Sequence, residues 1–132
     1  MSGSKPFNLS SLLAGCYDNI YIFTHVRPDG DAIGSSLALA NALKTEHKNV
    51  EVFCPDVIPS RYSFLPGVET FQDSFIPKEG KGMAFILDCS DLRRLEYMGE
   101  KVLRLDRIVN IDHHVTNEKF GDLNLIDSSA AS

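Results

Sequence analysis

The chain has 132 residues, a length that suits one domain, and it is 43% hydrophobic and 23% charged. It can therefore bury a core, and its composition is not that of a disordered chain. The formal net charge of −5 argues against a broad basic face that would bind duplex DNA. A small anionic substrate remains compatible with this charge, because bound metal ions would reverse the local field.

The cysteines and the N-terminus bear on where the protein works. Cys16, Cys54 and Cys89 lie far apart, without a CxxC pair or zinc-finger spacing, which is typical of reduced thiols. The N-terminal segment lacks the pattern of a secretory signal, and no apolar stretch has the length of a membrane span. We therefore expect a cytoplasmic protein that does not bind membranes.

The first third of the chain predicts three regular elements. Apolar residues at helical spacing predict a short opening helix over residues 9–17. The β-branched and aromatic run Asn19–Thr24 predicts a buried strand. A loop containing proline and glycine follows over His25–Gly30, and apolar residues on one face then predict a helix over Asp31–Leu43.

The rest of the chain continues the alternation of strands and helices. Strands are predicted over Val50–Phe53, Met83–Leu87 and Arg107–Asp112. A helix is predicted over Leu92–Leu105, with an interruption near Gly99. This alternation favours a mainly parallel sheet within a three-layer α/β sandwich.

Ionisable residues follow three of the predicted strands. The first strand runs into His25–Asp31, the third into Asp88–Asp91, and the fourth ends in Asp112–His114. Parallel strands place their carboxyl ends at one edge of a sheet, where ligands bind in such folds. We therefore expect several carboxylates and up to three imidazoles in one crevice.

Carboxylates are costly to pack together unless something positive lies between them. Histidine and aspartate ligands suit Mn²⁺, and less often Zn²⁺, Fe²⁺ or Co²⁺. Two such ions about 3.5–4 Å apart can share a carboxylate and a bridging water, which attacks phosphorus as hydroxide. Each residue alone has an ordinary explanation, and Asp31, for example, suits the first turn of a helix. Only the combination indicates a metal centre.

Three segments resemble the motifs of the DHH phosphoesterase superfamily. His25–Ser35 resembles the first motif, Asp88–Asp91 the second, and Asn110–His114 the third, which names the family. Asn117 and the ending Asn124–Ser132 are similar to the branch of bifunctional oligoribonucleases and pAp phosphatases, the nanoRNase-like group.

The resemblance implies a set of metal ligands. His25 and Asp29 would bind a first divalent ion, and Asp31 and His113 a second. Asp88 would bridge both. The ions are expected to be Mn²⁺.

The resemblance also implies the chemistry. His114 would contact the substrate phosphate or support the leaving oxygen, and Asp112 would orient a histidine. The expected reaction is hydrolysis of phosphodiester or phosphomonoester bonds in short oligonucleotides, pAp or dinucleotides by a metal-bridged hydroxide. Inorganic pyrophosphatase or polyphosphatase activity, single-strand exonuclease activity and a non-catalytic nucleotide-binding module stay open as alternatives. So does the oligomeric state.

The family pattern includes parts that this sequence does not reach. A fourth motif, an aspartate that completes the second metal site, and a C-terminal DHH-associated domain would both follow Ser132. We therefore expect residues 1–132 to be the N-terminal part of a DHH domain, with a weakened second metal site. Whether this length of chain is active alone is left open by the sequence.

Overall fold

The computed structural model describes residues 17–45 and 49–130. The predicted opening helix, apart from its last residue, and Cys16 lie outside these ranges. Within them, no helix combines the length and the apolar character needed to cross a bilayer. Cys54 and Cys89 are buried free thiols.

The described residues form a five-stranded sheet in which every strand pair is parallel. The spatial order is β2-β1-β3-β4-β5. The strands are β1 (Asn19–Phe23), β2 (Val50–Phe53), β3 (Gly82–Leu87), β4 (Arg107–Asp112) and β5 (Leu123–Ile126). The first four agree with the sequence prediction to within one residue at either end. The α/β class and the parallel sheet are therefore confirmed.

The strand β5 was not predicted from the sequence. It has four residues, all half-buried, and Asn124 interrupts its apolar run. A short edge strand buries too little apolar surface to show a clear pattern. Its pairing with β4, from Val109↔Leu123 to Asp112↔Ile126, is what defines it.

One long helix, α1 (Gly30–Lys44), covers one face of the sheet. The Asp29 carboxylate caps it by accepting a hydrogen bond from Ala32 N at 2.9 Å. Its buried side chains are Ala32, Ile33, Ser36, Leu37, Ala40 and Leu43. The apolar members recur at helical spacing, so the predicted helix is confirmed.

The helix predicted over Leu92–Leu105 is wrong in its details. The segment forms a 3₁₀ turn, Leu92–Leu95, and then the short helix α2 (Met98–Val102). The break falls at Glu96, whose φ of 51° no α-helix accommodates. Gly99, where the interruption was expected, lies inside α2.

An apolar layer lies on each face of the sheet and packs against the elements that cover it. On the α1 side, alternate strand residues such as Ile20, Ile22 and Phe85 pack together. On the other side, four aromatic rings meet at centroid distances of 4.8–6.5 Å, and α2 closes over them. These rings belong to Tyr21, Phe23, Phe53 and Phe75. Both faces are covered, which confirms the three-layer arrangement and makes β1 and β3 a rigid base for their carboxyl ends.

Candidate metal centre

The strand register brings the predicted polar clusters to one edge. Phe23 pairs with Ile86, and Leu87 pairs with Ile111, so β1, β3 and β4 end side by side. The chain leaves β1 for β2 on one flank and returns to β3 on the other, which makes the β1–β3 boundary a topological switch point. Parallel sheets open a crevice at such a point.

Asp88 occupies the centre of this crevice. Its φ of 57° is in the left-handed region, which Asp tolerates better than most residues. Its amide donates to the Ile111 carbonyl at 3.0 Å, which fixes the turn at the end of β3. The residue is only 6% exposed, so its carboxylate is held in a largely desolvated position. Strain of this kind persists where the surrounding structure holds the residue in place.

His113 approaches Asp88 from the end of β4. Its Nε2 lies 2.8 Å from Asp88 Oδ1 and 3.1 Å from Asp31 Oδ2. Its Nδ1 lies 3.2 Å from the Ala130 carbonyl, which can accept its hydrogen bond. The hydrogen bond to Asp88 raises the pKa of His113 above its usual range, against a smaller opposing effect of burial. The two carboxylates thus lie beside one imidazole nitrogen, a position that favours a positive charge.

His25 approaches Asp88 from the end of β1. Its Nε2 lies 3.4 Å from Asp88 Oδ2, and its Nδ1 lies 2.6 Å from the Val26 carbonyl. The Arg94 guanidinium is 3.2 Å from the same Nδ1. Burial alone would lower the pKa of His25, but the hydrogen bonds to Asp88 and Val26 outweigh it, and the pKa is raised.

The start of α1 contributes two carboxylates to the same crevice. Asp29 offers an oxygen that, with atoms of His25 and Asp88, forms a group lying within 4.8 Å of one another. Asp31 accepts a hydrogen bond from Ser35 Oγ at 3.0 Å, one helical turn along. These two carboxylates therefore face the crevice from the helix end, where the helix dipole favours negative charge.

Asp112 and His114 form a second layer of contacts behind Asp88. Asp112 Oδ1 lies 2.6 Å from His114 Nδ1, and its Oδ2 accepts from Asn117 Nδ2 at 2.9 Å. His114 Nδ1 is 4.0 Å from Asp88 Oδ1. Both oxygens of Asp112 are therefore engaged, one with the His114 imidazole and the other with the Asn117 amide.

All seven residues singled out in the sequence lie at this edge of the sheet. Among residues 17–45 and 49–130, two groups of His and Asp side chains are close enough to hold a cation. One consists of His25, Asp29 and Asp88, and the other of Asp88, Asp112, His113 and His114. Asp31 joins the second group through His113. A groove of about 540 Å³ opens beside them over the apolar floor Leu39, Leu87, Ile111 and Leu125.

Sequence reasoning assigned no role to several residues that hold the site together. Asn110 is fully buried in β4 and donates to the carbonyls of Ile86 and Cys89 at 3.0 and 3.1 Å. Asn117 Nδ2 donates to Asn110 Oδ1 at 2.8 Å as well as to Asp112. A buried polar residue needs hydrogen-bond partners, so the position of Asn110 within an apolar strand could have marked it as a structural residue. No feature of the sequence marks Arg94, because its proximity to His25 depends on the 3₁₀ turn.

Fold and site together define a class: α/β domains whose parallel strands end in a cluster of aspartates and histidines able to hold divalent cations. A family profile described as "DHH family, N-terminal domain" matches residues 19–132. The chain belongs to this family.

Curated relatives and a solved structure agree with this assignment. The chain is 42% identical over 114 residues to the bifunctional oligoribonuclease and PAP phosphatase NrnA of Thermus thermophilus, covering 86% of this chain and 33% of that protein. It is 28% identical over 116 residues to the Bacillus subtilis protein of the same name, covering 88% and 36%. The crystal structure of an exopolyphosphatase-related protein from Bacteroides fragilis superimposes with a TM-score of 0.81 at 29% identity, covering 93% of this chain and 38% of that one. The chain thus spans about a third of the length of the curated relatives.

Proposed function

We propose that this chain provides the metal-binding part of a phosphoesterase that hydrolyses phosphodiester or phosphomonoester bonds in short oligonucleotides or pAp. The observation that carries the proposal is the position of Asp88. One of its oxygens faces His113 and the other faces His25, so a single buried carboxylate serves two imidazoles on opposite sides. The relatives named as oligoribonuclease and PAP phosphatase support the choice of substrate.

The donor set fits divalent cations. In the site, His25, His113 and His114 each have an oxygen within hydrogen-bond distance of Nδ1. These oxygens are Val26 O, Ala130 O and Asp112 Oδ1, respectively. A histidine that donates through Nδ1 presents Nε2 as a ligand, which is the usual arrangement around bound metals. The carboxylates crowded around Asp88 would repel one another without a cation. Mixed imidazole and carboxylate donors favour Mn²⁺ in this proposal.

The arrangement supports the following assignment of ligands. His25 and Asp29, which lie together with Asp88, would hold one ion. Asp31 and His113 would hold the second, since Asp31 Oδ2 lies 3.1 Å from His113 Nε2. Asp88 would contribute one oxygen to each.

Two divalent ions bound there would supply charge for the phosphoryl oxygens and make an attacking water more acidic. The chain's own contribution to proton transfer is His114, whose side chain is 40% exposed and therefore accessible to a substrate. Its Nδ1 is held by Asp112, so Nε2 points away from that carboxylate. From there it can donate a hydrogen bond to a phosphate oxygen or a proton to the leaving oxygen. Asp112 would stabilise the imidazolium form of His114, which becomes neutral when it donates this proton.

The test is hydrolysis by the purified chain with Mn²⁺. The substrates are pAp, a short oligoribonucleotide and inorganic pyrophosphate, with a chelator and Asp88→Asn as controls. We expect Mn²⁺-dependent release of phosphate from pAp and shortening of the oligoribonucleotide, both abolished in the controls. Hydrolysis of pyrophosphate alone would favour the activity suggested by the exopolyphosphatase-related structure. Nucleotide binding without any hydrolysis would contradict the catalytic proposal for this chain.

A further inference from the structure

Another groove is lined in part by Arg27 and Pro28, which belong to the loop that carries His25 and Asp29. It measures about 450 Å³, within the roughly 300–1,000 Å³ of typical ligand sites. Its lining residues are Arg27, Pro28, Asp56, Val57, Pro59 and Arg61. In a chain with a net charge of −5, this groove has more basic than acidic side chains. None of the residues assigned to metal binding or catalysis lines it.

The backbone of Arg27 has an unusual conformation that a hydrogen bond to Asp56 stabilises. Its φ of 49° lies in the left-handed region, which costs a non-glycine residue about 1–2 kcal/mol. The Arg27 amide donates to Asp56 Oδ2 at 2.6 Å, and this bond stabilises the strained turn. The same bond engages one oxygen of Asp56, the acidic side chain that lines the groove. The guanidinium remains on an exposed residue midway between His25 and Asp29 in sequence.

Arg61 and Tyr62 extend the groove beside the start of α1. The Arg61 guanidinium lies 4.8 Å from the centre of the Tyr62 ring, a cation–π distance that orders a long side chain. The Tyr62 ring in turn lies beside Gly30, where a Cβ atom would be 3.5 Å from Tyr62 Cε1. Gly30 separates Asp29 from Asp31, so the stacked pair is anchored against the segment that bears two candidate metal ligands.

The groove also offers apolar surface that nothing in the described residues covers. Val57 is 85% exposed, and Pro59 lies between it and Arg61 in the lining. Apolar and planar surfaces next to guanidinium groups suit single-stranded nucleic acid, in which unpaired bases stack and phosphates meet positive charge.

We propose that this groove binds the nucleotide adjacent to the scissile one, with Arg27 and Arg61 contacting its phosphate and Val57 and Pro59 contacting its base or sugar. The inference rests on the proposed function, since it assumes that the scissile phosphate lies at the Asp88 cluster. The groove would then contribute to binding of oligonucleotides and not of pAp, which has no second nucleotide to place there.

The test is binding of a fluorescein-labelled triribonucleotide, followed by fluorescence anisotropy over a range of salt concentrations. Ca²⁺ replaces Mn²⁺ to slow hydrolysis. The variant is Arg61→Ala, and the matched control is Arg104→Ala, an exposed arginine just before β4 at the opposite edge of the sheet. We expect Arg61→Ala to weaken binding about three- to tenfold and to reduce the slope of log K against log salt by about 0.7, the value for one phosphate contact with a single strand. Arg104→Ala should change neither.

A second measurement separates this inference from the proposed function. In hydrolysis assays, Arg61→Ala should raise KM for the triribonucleotide and leave pAp turnover unchanged. If wild type hydrolyses pAp but Arg61→Ala and Arg104→Ala bind the triribonucleotide equally, the groove assignment is overturned and the proposed function stands. Absence of pAp hydrolysis by wild type counts against the proposed function, and the salt dependence of binding then still tests whether the groove binds a nucleotide. Absence of triribonucleotide binding by wild type overturns the groove assignment.

Discussion

Asp112 and His114 are two residues apart at the end of β4, and the carboxylate Oδ1 of the first lies 2.6 Å from Nδ1 of the second. Asp112 is 6% exposed, whereas the His114 side chain is 40% exposed. A buried carboxylate thus fixes the tautomer and the direction of an accessible imidazole. The neighbouring His113 is held differently, because its Nδ1 faces the Ala130 carbonyl and its Nε2 faces Asp88. The two adjacent histidines are therefore held in different environments, which suits the different tasks proposed for them.

The first prediction separates those tasks. His113→Gln should lower Mn²⁺ affinity, because His113 Nε2 lies between Asp88 and Asp31. His114→Gln should leave the bound Mn²⁺ unchanged and lower kcat for pAp by about 10²–10⁴-fold, the usual size of a lost general acid. Metal content by mass spectrometry and steady-state kinetics provide the two readouts. Loss of metal in His114→Gln with retention in His113→Gln would mean that the roles are exchanged.

The second prediction concerns the amide that supports Asp112. Asn117→Leu removes the donor shared by Asn110 Oδ1 and Asp112 Oδ2, both of which belong to buried residues. Leaving buried acceptors unsatisfied costs about 1–3 kcal/mol in the free energy of unfolding. Urea denaturation followed by circular dichroism measures this loss. Asn41→Leu, on the exposed face of α1, is the control and should change stability by less than about 0.5 kcal/mol.

The third prediction is a pH dependence of metal binding. The pKa of His113 is raised, first by its hydrogen bond to Asp88. The metal-free chain therefore keeps the His113 proton to a higher pH than a free histidine does, and a metal ion must displace that proton. Mn²⁺ affinity should accordingly fall as the pH is lowered from about 8 to about 6. Calorimetry in two buffers of different ionisation enthalpy should show proton release on binding, and its absence would contradict the assigned role of His113.

The fourth prediction concerns the buried thiols. Burial raises the pKa of Cys54 to about 11 and that of Cys89 to about 12. Each unit lowers the thiolate fraction about tenfold, so both should react with Ellman's reagent at least about 100-fold more slowly than in the urea-unfolded chain. A Cys16→Ser background restricts the signal to these two residues. Rapid reaction of Cys89 in the folded protein would contradict this prediction.

Much of the sheet could be predicted because its central strands are long enough to form the continuous apolar runs that are typical of buried parallel strands. The fully buried runs of β1 and β3, such as Met83–Leu87, consist almost entirely of apolar residues. Asp88 follows β3 directly, and His25 follows β1 after one residue. Parallel pairing then determines that His25, Asp88 and Asp112 share an edge. The cluster follows from topology, which is why sequence alone could place it.

The parts that were missed depend on contacts between distant segments. The edge strand β5 is defined by its hydrogen bonds to β4 and not by its own composition. The break before α2 falls at Glu96, whose positive φ has no signal in a residue that usually favours helices. Arg94 reaches His25 across 69 positions of sequence, and Asp56 reaches the Arg27 amide across 29. Such contacts between distant residues can be identified only once the fold is known.

The central claim is that Asp88 joins two cation sites, and Mn²⁺ titration calorimetry on the wild type and on Asp88→Asn tests it most directly. Asparagine keeps the shape of the side chain and tolerates the left-handed φ of 57°, so the variant removes a charge without disturbing the turn. Glu100→Gln, on the exposed side of α2, is the control for loss of one negative charge. The account predicts two Mn²⁺ ions per wild-type and per Glu100→Gln chain and none at comparable affinity in Asp88→Asn. Full Mn²⁺ binding by a folded Asp88→Asn chain would contradict it.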